Sequence, residues 1–178
     1  MLHTSQRSLI LTGFMGTGKT ETGKIIAKML NRCFFDTDDL IEKKVGFTIS
    51  AIFEKFGELY FRQTETEVIK EMTKKSSVVI SCGGGTTLNP LNVDMLKSGG
   101  IIVNLCASAE TIYGRIKKKH TRPLLKCEDS LSTIKRILYT RKNAYKNCDF
   151  TFNTDELTAS EVANSILNDV NIRKLLKI

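Results

Sequence analysis

Short apolar runs alternate along this chain with stretches where apolar residues recur every third or fourth position. Ser8-Leu-Ile-Leu-Thr12 has the composition of a strand and ends in a glycine-rich stretch, Gly13 to Gly18. Thr22, Ile25, Ile26, Met29 and Leu30 then share one helical face. Cys33-Phe-Phe35 is a second strand, closed by the acidic cluster Asp36-Thr-Asp-Asp39. Thr48 is placed to cap a short helix carrying Ile49, Ile52, Phe53 and Phe56, with Gly57 as its stop. A longer helix follows, with Phe61, Glu65, Val68, Ile69 and Met72 on one face. Val78-Val-Ile80 is a third strand, ending in Gly83-Gly-Gly85.

Asn89-Pro90 reads as an N-cap with proline at the first helical position, and Gly99-Gly100 ends that helix before strand Ile101 to Leu105. A helix from Ser108 to Ile116 leads into the basic stretch Lys117 to Glu128. Leu131, Ile134, Leu138 and Tyr145 mark another helix, Phe150 to Phe152 a fifth strand, and Thr158-x-x-Glu161 a capping box that opens a C-terminal helix. Short strands separated by helices predict a parallel, doubly wound α/β sheet. With no internal repeat or linker, residues 1–178 are expected to form a single domain.

Composition narrows the class. The chain is 41% apolar and 26% charged, which is ordinary for a globular protein, and no run approaches a membrane span. The polar N-terminus runs straight into a strand, leaving no signal or transit segment, so a cytoplasmic location is expected. Five widely spaced cysteines (Cys33, Cys82, Cys106, Cys127, Cys148) without a CxxC predict buried, inert thiols rather than disulfides or zinc. His3 and His120 are too few for a histidine-centred triad. The net charge of +8 suits either nucleic acid or small polyanions. Aromatics are not interleaved with the basic residues as a base-stacking surface requires, so no nucleic-acid partner is expected.

The strongest chemical signal is Gly13-Phe-Met-Gly-Thr-Gly18-Lys19-Thr20, a full match to G-x-x-x-x-G-K-[ST] between a strand and a helix. Glycines let consecutive backbone N–H groups turn around an anion, and the helix adds its positive end. Lys19 is suited to the outer phosphates of a nucleotide, and the Thr20 hydroxyl to Mg²⁺. The fold expected is therefore a P-loop NTPase-type three-layer α/β fold, its five-stranded parallel sheet flanked by helices. The loop by itself leaves GTPases, ATPases and small-molecule kinases open.

In such a sheet ligands gather beyond the C-terminal strand ends, where Asp36/Asp38 and Gly83 to Gly85 fall. Asp36 and Asp38 share a face if the segment is extended, and carboxylates there suit water-mediated Mg²⁺ or an acceptor hydroxyl. The plainer alternative is helix capping. Arg62 lies between Glu58 and Glu65 at helical spacing, which alone means a solvated ion-pair face. Three glycines after a strand are either a flexible turn or a place where backbone approaches a ligand.

In order along the chain, Gly13 to Thr20, Phe35-Asp-Thr-Asp38, Phe61-Arg62-x-x-Glu65, Gly83-Gly-Gly85, Arg122-Pro-Leu-Leu125 and Arg141-x-x-x-Tyr145 resemble the shikimate kinase family nearly from end to end. The resemblance implies ATP-dependent phosphorylation of the 3-hydroxyl of shikimate, on the route to chorismate and the aromatic amino acids. It implies catalytic roles for Lys19, Asp38 and Arg122, the last as a lid arginine. ATP would contact Gly13, Met15, Gly16, Thr17, Gly18, Lys19, Thr20 and Glu21, with Arg115, Arg122 and Asn153. Shikimate would meet Asp38, Phe53, Phe61, Arg62, Gly83, Gly84, Gly85 and Arg141, and Mg²⁺ would sit by Thr20 and, through water, Asp36. Helices over about 38–74 would bind the acid, and a lid would span about 117–128.

The residue chemistry agrees with that assignment: two guanidinium forks suit a carboxylate better than ammonium groups do. Glu21 after Thr20, Cys82 before the glycines and the Lys117-Lys-Lys-His120 run depart from the family pattern. A gluconate-type kinase, a silent binding module and a nucleic-acid binder are the rival readings. A monomer with no membrane partner is expected.

Overall fold

The computed structural model describes residues 7–117 and 130–178. Strands β1 (Ser8–Thr12), β2 (Phe34–Asp36), β3 (Val79–Ser81), β4 (Gly100–Cys106) and β5 (Phe150–Asn153) pair in parallel in the order β2-β3-β1-β4-β5. Parallel pairing requires crossovers, and helices supply them: α1 (Lys19–Leu30), α2 (Thr37–Val45), α3 (Ile49–Met72), α4 (Pro90–Gly99), α5 (Ala109–Lys117), α6 (Ser130–Tyr145), α7 (Ala159–Asn168) and α8 (Val170–Leu176). A 3₁₀ turn, Thr86–Leu88, follows the triple glycine.

Alternation along the strands feeds two helical layers. Leu9, Leu11, Ile101, Val103 and Leu105 pack with Ile26 of α1 and with Val162, Ile166, Ile172 and Leu176 of α7 and α8. Ile10, Ile80 and Ile102 face the other way, against Ile52, Val68 and Ile69 of α3 and Leu96 of α4. A smaller group joins Phe14 to Ile112 of α5 and Ile134 of α6, so the loop after β1 is anchored by its own aromatic residue. The five-stranded, three-layer sheet expected from the alternating pattern is the observed one.

The cap signals act where they stand. Thr48 accepts from the Ala51 backbone, Asn89 from Leu91 with Pro90 at the first position, and Thr158 and Glu161 form a reciprocal capping box. Gly57 interrupts the helix where its stop signal falls: at φ 79°, ψ 173° its backbone is non-helical, and α3 is two helical segments meeting at this kink, the second running to Met72. Other expectations change. The segment Asp36–Asp38 is not extended. Asp36 caps α2, its carboxylate accepting from the Asp38 backbone, and Asp38 lies in the first helical turn.

Met29 and Phe56 are 51% and 45% exposed, so the apolar faces predicted for their helices are wider than the stripes actually buried. Asp169 divides the C-terminal helix in two by capping α8. Cys33 is exposed, against the expectation of burial, because it precedes β2 rather than lying within it. Cys82 is buried, Cys106 and Cys148 are half-buried, and all four are free thiols. His3, His120 and Cys127 lie outside the described residues.

Candidate active site

The turn from β1 into α1 is built around backbone that only glycine accommodates. Gly13 has φ 130°, and a Cβ there would sit 2.1 Å from the carbonyl oxygen of Leu105. Gly18, at φ 93°, is the N-cap of α1, so the helix offers its first N–H groups to the cleft rather than to a capping side chain. The Phe14 carbonyl accepts from Lys19 Nζ and Thr17 Oγ1, both at 2.8 Å, which folds the lysine over the loop. Thr20 Oγ1 donates to Asp36 Oδ2 at 2.8 Å, joining the start of α1 to the end of β2.

These groups line a cleft of about 610 Å³. Met15, Gly16, Thr17, Gly18, Lys19, Thr20 and Glu21 form one wall and Asp36, Asp38, Cys82 and Gly84 another. Arg115, Thr154, Leu157 and Val162 close the far end. Among the described residues no group of three or more histidine, cysteine or acidic side chains is arranged to hold a metal. The Thr20 hydroxyl and Asp36 carboxylate are hard oxygen donors of the kind Mg²⁺ takes while keeping most of its water.

Beyond β3 the three glycines each make room for a different neighbour. A Cβ on Gly83 would lie 2.6 Å from Asp38 Oδ1, and one on Gly85 would lie 2.7 Å from Arg62 Nη1. One on Gly84 would come within 3.1 Å of the Met15 backbone nitrogen, in the phosphate loop. The Gly84 carbonyl in turn accepts from Tyr145 Oη at 2.7 Å and, more weakly, from Arg141 Nη1 at 3.4 Å. Asp38, Arg141 and Arg62 thus meet consecutive residues of one turn. Thr37 holds that turn to the start of α2, its hydroxyl accepting from the Gly83 N–H at 2.9 Å.

Arg62 is also an ion-pair residue, as its helical spacing implied. It reaches Glu65 at 2.9 Å and Glu58 at 3.2 Å, and Glu65 is only 1% exposed. The other oxygen of Glu65 accepts from Thr86 Oγ1 at 2.7 Å. Because the guanidinium lies against the Gly85 backbone, Gly85→Ala is expected to displace it. The fold should tolerate the change, since the clash is with the end of a flexible side chain, while the KM for an acidic substrate rises about tenfold or more. Gly13→Ala, whose Cβ meets backbone, should lower the melting temperature far more. Thermal melts and kinetics on both variants check this contrast.

Phe53 stacks on Phe61 with centroids 4.7 Å apart, and Arg62 lies 5.1 Å over the Phe61 ring. Phe61 is buried in the core, so it supports Arg62 from beneath. Arg115 ties the turn after β5 to the phosphate loop through the Thr154 hydroxyl and carbonyl and the Gly16 carbonyl. Asn153 is exposed and accepts from the Asp155 N–H at 2.7 Å. Its neighbour Thr154 lines the cleft instead. Burial, reinforced by the Glu65 carboxylate and only partly offset by Lys19, pushes the Cys82 thiol far above its usual range, so it stays protonated and is no nucleophile.

Arg122 and most of the proposed lid lie outside the described residues. Thr86, Thr154 and the apolar end formed by Leu157 and Val162 carry no sequence signal. Glu65 and Tyr145 had one, as the helical neighbours of Arg62 and Arg141.

A phosphate loop opening onto a turn where a carboxylate and two guanidinium groups converge defines a P-loop kinase of a small acidic alcohol. The family model for shikimate kinase matches residues 15–171. A shikimate kinase of Caldicellulosiruptor bescii is 50% identical over 162 residues, covering 91% of this chain and 94% of its own. The solved shikimate kinase of Acinetobacter baumannii in complex with shikimate superposes with a TM-score of 0.90 at 36% identity, covering 96% of each chain. That of Aquifex aeolicus does so at 0.81 and 36%, covering 94% and 98%. A sugar kinase of Janibacter, at 16% identity and a TM-score of 0.62, shares the fold alone. The chain belongs to the shikimate kinase family, ATP-dependent enzymes that phosphorylate the 3-hydroxyl of shikimate on the way to chorismate and the aromatic amino acids.

Proposed function

We propose that this chain transfers the γ-phosphoryl group of ATP to the 3-hydroxyl of shikimate, with the following division of labour. The backbone of Gly13 to Thr20 and the positive end of α1 hold the phosphates, with Lys19 neutralising charge that builds during transfer. Glu21 stands at the edge of that grip, and Arg115 and Asn153 flank the base. Thr20 and Asp36 hold Mg²⁺, the latter through water. When bound, the ion would screen the phosphate charges.

Asp38, on Gly83, orients the acceptor hydroxyl and is suited to take its proton. Arg62 and Arg141 grip the carboxylate, with the Gly84 and Gly85 backbone beside the ring and Phe53 and Phe61 behind it. Arg122 completes charge neutralisation from a lid over about 117–128, and helices over about 38–74 carry the acid side of a single kinase domain.

The observation that carries this reading is the convergence of Asp38, Arg141 and Arg62 on Gly83, Gly84 and Gly85, one residue each. Arg62, paired with Glu58 and Glu65, and Arg141 bring two guanidinium groups to adjacent backbone positions beside the phosphate cleft, a disposition suited to a carboxylate. Phosphoryl transfer then needs position and neutralised charge more than covalent chemistry. The working unit is taken as a cytoplasmic monomer without nucleic-acid or membrane partners. Among the described residues no helix is long and apolar enough to cross a membrane.

Incubating the purified protein with ATP, Mg²⁺ and shikimate, followed by mass analysis of the product, tests the reading. Shikimate 3-phosphate formed with stoichiometric ADP supports it. ADP without a phosphorylated acid, or no reaction, overturns it.

A further inference from the structure

Resting on that reading, we infer that Tyr145 is a positioning residue that keeps the Arg141 guanidinium available for the substrate's carboxylate by holding the Gly84 carbonyl that both side chains approach. Tyr145 ends α6, one helical turn beyond Arg141, so the two side chains project from the same face. Its hydroxyl donates to the Gly84 carbonyl at 2.7 Å. The Arg141 guanidinium, a donor only, acts electrostatically on the phenol. Arg141 and Tyr145 thus converge on one carbonyl. The direct Arg141 contact with the same carbonyl is long, at 3.4 Å.

Removing the phenol hydroxyl has two consequences. The Gly84 carbonyl loses its short partner, so it draws on Arg141 as the remaining donor. Arg141 then spends its fork on backbone instead of on the acid. Burial raises the Tyr145 pKa, against the opposing influence of Arg141 and, more remotely, Arg62, so the phenol remains a donor at physiological pH. Tyr145 packs among Phe14, Ile112 and Ile134, so loss of the hydroxyl with the ring retained leaves that contact intact. Gly84 and Tyr145 meet the phosphate loop through the Met15 backbone and the Phe14 ring, contacts that Tyr145→Phe retains, so the effect should be confined to the acid.

The test is a double-mutant cycle with Tyr145→Phe and Arg141→Ala, reading the KM of each substrate and acid binding by calorimetry. Tyr145→Phe is expected to raise the shikimate KM and Kd about fivefold to tenfold, the ATP KM staying put. In the Arg141→Ala background the same change should have less than about a twofold effect, because the group it positions is gone. An equal penalty in both backgrounds, or a parallel rise in the ATP KM, makes the tyrosine merely structural and overturns the inference. So does an unchanged shikimate affinity. A wild-type protein that binds no shikimate overturns the inference together with the proposed function, whereas full wild-type turnover beside a background-independent tyrosine effect overturns the inference alone.

Discussion

Arg62→Ala is expected to weaken shikimate binding by about 2–5 kcal/mol, the range seen when one partner of a desolvated charge pair is cut away. The expectation rests on where Arg62 sits. Its guanidinium is pressed against Gly85 and supported by the Phe61 ring, so little adjustment is available to a neighbour that would replace it. Arg62 also neutralises Glu65, which is 1% exposed, and truncation leaves that carboxylate its hydrogen bond from Thr86 but not its counter-charge. A loss of stability should accompany the loss of affinity, because an uncompensated buried charge is costly.

Arg62→Lys separates the two effects. It keeps a charge near Glu65 but not the planar fork, so stability should recover more than acid affinity does. Steady-state kinetics with denaturation curves on both variants check this, and a shikimate KM equal to that of the wild type would falsify the pairing.

Lys19→Ala is expected to lower kcat by about 10³-fold, equivalent to about 4 kcal/mol of transition-state stabilisation. The Lys19 ammonium is buried and held 2.8 Å from the Phe14 carbonyl, directly over the turn of backbone N–H groups. Preorganised in this way, the charge costs no reorganisation when negative charge moves onto the transferring group. Shortening the side chain should leave the fold intact, since the loop is separately pinned by Phe14 and by Thr17 Oγ1. Single-turnover measurements at saturating ATP isolate the chemical step, and a kcat within a few-fold of wild type would show that Lys19 only binds.

Much of this arrangement was legible before any coordinates. Strand and helix periods, the caps at Thr48, Asn89 and Thr158, and the phosphate loop are local features, encoded within a few residues of where they act. In an extended segment Asp36 and Asp38 would share a face. In the structure one caps the helix that carries the other, so capping and cleft lining turn out to be compatible rather than alternative. The partners of the three glycines were not legible, because Asp38, Met15, Arg141 and Arg62 come from distant segments and their meeting depends on strand order. The pairing of Glu65 with Thr86, across 21 residues, was hidden for the same reason. The break at Gly57 is legible because it is local: a lone glycine between two apolar faces supplies the non-helical backbone at which the two segments of α3 meet.

The sheet register carries a last implication. Asp36 lies opposite Ser81, which lies opposite Leu11, so the backbone that carries the Asp36 carboxylate and the root of the phosphate loop are two strand spacings apart. That separation, roughly 9.5 Å, is set by backbone hydrogen bonding and not by any side chain. Length is therefore a stricter constraint than identity in β2 and β3. One inserted residue would turn every side chain of the strand to the opposite face and carry Asp36 away from Thr20. Variation compatible with this chemistry belongs in the loops and on the outer helix faces, while these two short strands serve as its ruler.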